Sequence, residues 1–185
     1  MIDRGGSQTF ERYNNSGKGL AQGIQSQLRF DFHPIQGAIA YTLSRSTRSD
    51  NGGSSKVFAF DQTHNLNLIL SYAFGKNWLV STRYRYVTGN PLTPVISGFF
   101  DADNDQYLPR RGGYFSSRQT DFRQLDLRFD KKWIFDTQVW SFYLDILNVL
   151  NTKNSEGVDY SYNYSQRQDS LGLPFLPALG VRGDF

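Results

Sequence analysis

Between His64 and Phe74 the side chains change character at every residue, and a period of two belongs to a strand. The even positions read His64, Leu66, Leu68, Leu70, Tyr72 and Phe74, and the odd ones Asn65, Asn67, Ile69, Ser71 and Ala73. Successive strand side chains point to opposite faces, so one face is apolar and the other mostly small or polar. The length suits a tilted strand of about 9–11 residues crossing a bilayer. The next segment repeats the pattern, with Trp78, Val80, Thr82, Tyr84 and Tyr86 against Ser81, Arg83 and Arg85. A helix would put Val80 and Arg83 on one side, so the helical reading fails.

Six more segments follow suit. Ile24, Leu28, Phe30 and Phe32 alternate with Gln25, Gln27, Arg29 and Asp31; Ile39, Tyr41 and Leu43 alternate with Ala38, Ala40, Thr42 and Ser44. Leu125, Leu127 and Phe129 alternate with Gln124, Asp126, Arg128 and Asp130, and Trp140, Phe142, Leu144 and Ile146 with Ser141, Tyr143 and Asp145. Val158 to Ser165 and Phe175 to Phe185 are weaker candidates that bring the expected total to eight.

The connections alternate in length. Short links are expected at His33–Gln36, Gly75–Asn77, Asp136–Gln138 and around Asp169–Pro174. Long ones are expected at Ser46–Gln62, Gly89–Gln119 and Asn151–Gly157. Turns on one side and long polar loops on the other are the pattern of an outer-membrane barrel, with periplasmic turns and extracellular loops. Trp78 and Trp133 by the short turns and Tyr86 near a long loop fit interface girdles.

Composition agrees. Only 38% of residues are apolar, yet 16% are aromatic, with 15 Phe, 11 Tyr and 3 Trp. There is no Cys, so disulfides and thiolate metal sites are excluded. A net charge of +3 with interspersed signs is no footprint for nucleic acid. Apolar runs such as Trp78–Val80 and Ile146–Leu150, interrupted by Asn148, fall far short of the roughly 20 residues of a helical span. Met1–Gly6 lacks the apolar core of a signal peptide, so an exported chain would be mature, re-engineered or cut from something longer. The expectation is one domain over residues 1–185, an all-β, antiparallel up-and-down transmembrane β-barrel of about eight strands. It closes alone or forms a segment of a larger barrel, contacts outer-membrane lipid and needs no cofactor. Arg83, Arg85, Asp126, Arg128 and Asp145 fall on the polar face, where a hydrated lumen tolerates them.

Several motifs taken in order resemble the C-terminal end of TonB-dependent outer-membrane receptors. They are Thr88-Gly89-Asn90-Pro91 with Thr93-Pro94, the loop Asp101–Asp105, Asp121–Arg128, Asp145–Asn151, Gly172–Pro177 and the closing Val181–Phe185. Gly17–Gly23 resembles the entry to a receptor strand and Tyr41–Arg45 the strand after it, so the resemblance covers nearly the whole chain. It implies uptake of a ligand across the outer membrane, with the rest of a receptor chain, its plug and the TonB energy-coupling protein as partners. No plug and no coupling box are found in this sequence. The resemblance also implies a C-terminal signal for the barrel-assembly machinery, carried here by Leu179, Val181 and Phe185, although Gly183 stands where a large apolar residue is usual. The rival reading is an autonomous eight-stranded barrel that anchors or adheres. Pairing of the first strand, Gly19–Phe32, with the last, Phe175–Phe185, separates the two.

Other features carry blander readings. Asp101, Asp103 and Asp105 have calcium-loop spacing, but Gln106 replaces the turn glycine and Gly112 the bidentate glutamate, so a solvated loop is preferred. The charged polar face reads as salt-bridged filler in a small barrel and as a wet wall in a large one. Tyr160, Tyr162 and Tyr164 are read as a girdle rather than a ligand platform. His33 and His64 lack a second metal ligand at useful spacing, and nothing resembles a nucleophile elbow, so catalysis is not expected.

Overall fold

The computed structural model describes residues 17–49 and 53–185; Met1–Gly6, read above for a leader, lies outside them. Every regular element among the described residues is a strand. In chain order these are β1 Lys18–Phe32, β2 Ile35–Ser49, β3 Lys56–Val57, β4 His64–Ala73, β5 Trp78–Val87, β6 Pro91–Leu92 and β7 Val95–Asp101. They continue as β8 Gln106–Arg111, β9 Ser117–Arg118, β10 Phe122–Ile134, β11 Val139–Leu147, β12 Ser155–Tyr160, β13 Arg167–Leu171 and β14 Leu176–Asp184.

Seven of them form one antiparallel sheet in the order β1-β2-β4-β5-β10-β11-β14, with the short β3 added to β2. Each long strand therefore pairs with the next long strand along the chain, as hairpin connections dictate. The register keeps the alternation in phase throughout. Leu28 faces Ile39, Ile39 faces Leu68, Leu68 faces Tyr84 and Tyr84 faces Leu125. A second row runs from Val80 through Phe129 and Leu144 to Leu179. One face of the whole sheet is thus apolar. On the other, Ser71 faces Ser81, Arg83 faces Asp126 and Arg128 faces Asp145.

Among the described residues no second layer covers the apolar face. Val87, on the polar side, is the one buried hydrophobic side chain among the described residues, whereas Ile24 is 73% exposed and Leu179 70%. In water such a face would forgo about 25 cal/mol for every Å² left uncovered, over far more area than a soluble monomer leaves open.

The expected count of eight long strands in one sheet is corrected to seven among the described residues. β11 ends where Asn148 takes a φ of 51°, and Asn151 repeats the left-handed turn at 48°, which carries the chain off the sheet. Asparagine enters that region more readily than other non-glycine residues. The Tyr-rich segment then pairs with β13 rather than with the wall. Its partner offers Arg167, Gln168, Asp169 and Ser170, with Leu171 alone apolar, so the hairpin has no continuous apolar face to match the sheet. Tyr160, Tyr162 and Tyr164 accordingly sit in and beyond β12, not at a wall-strand end as a girdle would. The separate links expected at Asn151–Gly157 and Asp169–Pro174 are parts of one long connection between β11 and β14. The asymmetry itself persists: β1–β2, β4–β5 and β10–β11 are joined by tight turns at one end, and three long connections occupy the other. β1 and β14 are not paired to each other; they form opposite edges of the sheet among the described residues.

Gly183 has a specific role at the last edge. It faces Trp140, whose ring meets Phe185 edge-on at 5.5 Å, and a Cβ on Gly183 would stand 3.2 Å from both rings. The absent side chain lets two aromatics meet over the strand end.

The β4–β5 register has a direct check. Phe74 donates its N–H to the Trp78 carbonyl (3.2 Å), so Ser71 and Ser81, three rungs on, form a close pair without backbone bonds, their hydroxyls 2.9 Å apart. The double variant Ser71→Cys with Ser81→Cys should form a disulfide on mild oxidation, read as a mobility shift reversed by reductant. Ser71→Cys with Thr82→Cys, on opposite faces, should not cross-link.

Candidate functional site

Four of the five charged residues singled out in the sequence gather on the polar face as two neighbouring clusters. Arg83 on β5 donates from Nε (3.0 Å) and Nη2 (2.6 Å) to Asp126 Oδ2 on β10. The other oxygen of Asp126 accepts from Gln124 Nε2 (2.7 Å) and from the Asn148 backbone N–H (3.0 Å), and the residue is 7% exposed. One strand further, Arg128 bridges Asp130 (2.9 Å) and Asp145 (2.7 Å) and lies 4.3 Å over the Tyr143 ring. Arg85 does not join either cluster; its guanidinium lies 5.0 Å over the Phe122 ring. The face is therefore a built lattice of ion pairs, with one arginine among the five predicted residues held only by an aromatic ring.

Sequence reasoning missed the residues that anchor the long connections. Asn148 is fully buried: its Nδ2 donates to the Thr152 and Leu173 carbonyls (3.0 Å each), and its Oδ1 accepts from the Thr152 N–H (2.9 Å). Asn154, 4% exposed, brackets Arg123 by accepting from its N–H (2.9 Å) and donating to its carbonyl (3.0 Å). Asp61, 1% exposed, joins the first two connections. It accepts from the Ser46 N–H (2.5 Å) and from Arg118 Nη2 (2.6 Å), while Arg118 Nη1 donates to the Asp61 and Gly89 carbonyls (2.6 and 2.9 Å). The visible signal was a lone Asn at the end of an apolar run; for Asp61 and Asn154 the partners are too distant in sequence to read.

Electrostatics follow these contacts. Burial alone would raise the Asp61 carboxyl, but the Ser46 amide and the Arg118 guanidinium outweigh it, and the group titrates below its ordinary value. Asp121 is likewise held low, chiefly by the Gly89 N–H at 3.1 Å and against some burial.

The aspartate loop is a turn. Asp101 accepts from the Asp103 N–H (3.1 Å) and Asn104 Nδ2 (2.8 Å), and Asp105 takes a φ of 52°. No group of three or more His, Cys, Asp or Glu side chains among the described residues converges as a cation ligand set. Leu179, Val181 and Phe185 all lie on the apolar side of β14, each well exposed. His64 Nδ1 and the Tyr41 hydroxyl oxygen are hydrogen-bonded at 2.8 Å. In comparison with known proteins, the chain matches no family model, no curated protein and no solved structure.

Removing the Asp61 carboxylate tests the latch between the first two connections. Hydrogen bonds to charged groups contribute roughly 1.5–3 kcal/mol. Asp61→Ala should therefore speed tryptic cleavage after Lys56 by at least about tenfold at neutral pH. The lowered pKa sets the sign with pH: in the native chain the latch is fully present above the ordinary carboxylate value and is lost as pH falls through the Asp61 value. An unchanged cleavage rate in the variant would remove Asp61 from this role.

Proposed function

We propose that the seven-stranded sheet is a wall segment of a TonB-dependent outer-membrane receptor, contributing to ligand uptake across the outer membrane. The observation that carries this reading is the split between the two faces. An apolar face that no layer covers among the described residues and a face of paired charges fit lipid on one side and water on the other. The confinement of long connections to one end agrees, and the order of motifs supports the receptor family in particular.

Strand direction favours a larger wall over a small self-closed barrel. Counting along the antiparallel order, β1 and β14 run the same way. Direct closure would make a parallel seam, and two copies joined edge to edge would make the same one. An antiparallel wall with no edge in lipid takes an odd number of further strands between β14 and β1. On this reading Leu179, Val181 and Phe185 present the strand-end signal to the barrel-assembly machinery, and the rest of the barrel, a plug and the energy-coupling protein are the partners.

Two experiments test the reading. The chain has no native Cys, so single cysteines report cleanly. On intact cells an impermeant maleimide should label Asn163→Cys in the third long connection, and should label Asp136→Cys in a short turn only after the outer membrane is broken. Equal labelling of both would contradict the reading. Adjacent residues of β1 give the energetic counterpart, because Leu28 is on the apolar face and 59% exposed while Gln27 is on the polar face. In a protein surrounded by water both Leu28→Arg and Gln27→Arg would be nearly neutral. In a bilayer Leu28→Arg should cost roughly 2–4 kcal/mol, read as loss of the folded band in gels without heating, with Gln27→Arg retaining it.

A further inference from the structure

All three long connections meet the polar face at one place. Asn65 of β4, Val87 of β5 and Phe122 of β10 stand side by side in register near the long-connection end of the sheet. They floor a cavity of about 290 Å³. Gln62 reaches it from the first connection, Asn90 and Gln119 from the second and Glu156 from the third, and Arg85 enters from two rungs below.

The lining is fixed by contacts that do not use the cavity. Asn154 pins the strand start beside Ser155 and Glu156 to Arg123, as described above. Gln62 Nε2 donates to Asn90 Oδ1 at 3.2 Å, and the Asn90 carbonyl accepts the Gln119 N–H at 2.9 Å. Gly89 packs so closely on the Gln119 carbonyl that no side chain fits there, which draws the two ends of the second connection together.

What remains unused is a mixed set of donors and acceptors. Among the described residues no hydrogen bond or ion pair engages Glu156, the Gln119 side-chain amide or the Arg85 guanidinium, the last lying only against Phe122. Asn65 uses its oxygen on Asn67 and keeps its Nδ2 hydrogens. One cation and one anion leave the cavity near charge balance, which disfavours a polyanion. An amide-lined, balanced set suits groups that donate and accept at once, and a hydroxyl is such a group. A cavity of this size sits at the lower end of small-molecule sites. We propose that it binds a neutral saccharide, with Glu156, Gln119 and Asn65 bonding ring hydroxyls and Arg85 closing one side. This names the ligand class of the captured molecule and so rests on the uptake reading, but binding is measurable without transport.

The full chain, purified in detergent from its membrane, is titrated with glucose, maltose and N-acetylglucosamine, with glycylglycine and citrate as zwitterionic and anionic comparisons. Saturation-transfer NMR and calorimetry should find saturable binding of at least one sugar. Glu156→Gln and Asn65→Ala should each weaken it by about tenfold or more while circular dichroism stays unchanged. No binding of any of the three sugars overturns the proposal, as does binding that both variants leave intact, or binding of glycylglycine or citrate alone. Failed surface labelling with sugar binding intact would overturn the uptake reading and leave the site standing; the opposite pattern would do the reverse.

Discussion

The rest of the structure depends on keeping two faces apart through seven strands without a single slip. A shift of one residue at any seam would turn every side chain beyond it to the other face. Charge pairing resists such a slip on the polar side: the Arg83–Asp126 and Arg128–Asp145 bonds each span a seam and exist only in the observed register. On the apolar side, rows such as Leu28–Ile39–Leu68–Tyr84 make the same demand through cross-strand contact. Register is thus specified twice, by different forces on opposite surfaces.

That arrangement explains why the polar face can be dense in charge without being a liability. Arg83 and Asp126 are directly opposed and doubly bonded, and Asp126 fills its remaining capacity with Gln124 and the Asn148 N–H. Asn148 in turn holds Thr152 and Leu173, so the wall lattice continues into the third connection. The long connections are consequently anchored: Asp61 ties the first to the second, and Asn154 ties the third to β10. The second and third also meet at their tips, where the Tyr107 and Tyr162 rings stand edge-on at 5.5 Å and the Asn163 carbonyl fills the space left by Gly98.

The main sheet was legible because alternation is a local property. Each of β4, β5, β10 and β11 declares its two faces without knowledge of its neighbours, and the lengths of the turns predict which strands pair. The segment Val158–Ser165 misled for a physical reason. Its tyrosines alternate as a wall strand's would, but its partner was decided by two left-handed asparagines upstream and by the polar residues of β13. The small hairpin β7–β8 and the β6–β9 pair likewise hide in a loop-like composition. Of the predicted charged residues, four fell into the ion-pair lattice and Arg85 stood apart; Asp61, Asn148 and Asn154 matter through contacts that no local pattern announces.

The most direct test of the central claim, a different solvent on each face, is a spin-label scan of β4 in phosphatidylcholine vesicles, one cysteine at a time from Asn65 to Tyr72. The arrangement predicts accessibility to dissolved oxygen that peaks at positions 66, 68, 70 and 72, and accessibility to a water-soluble nickel chelate that peaks at 65, 67, 69 and 71. Accessibility to the chelate at both sets, or a period other than two, would contradict it.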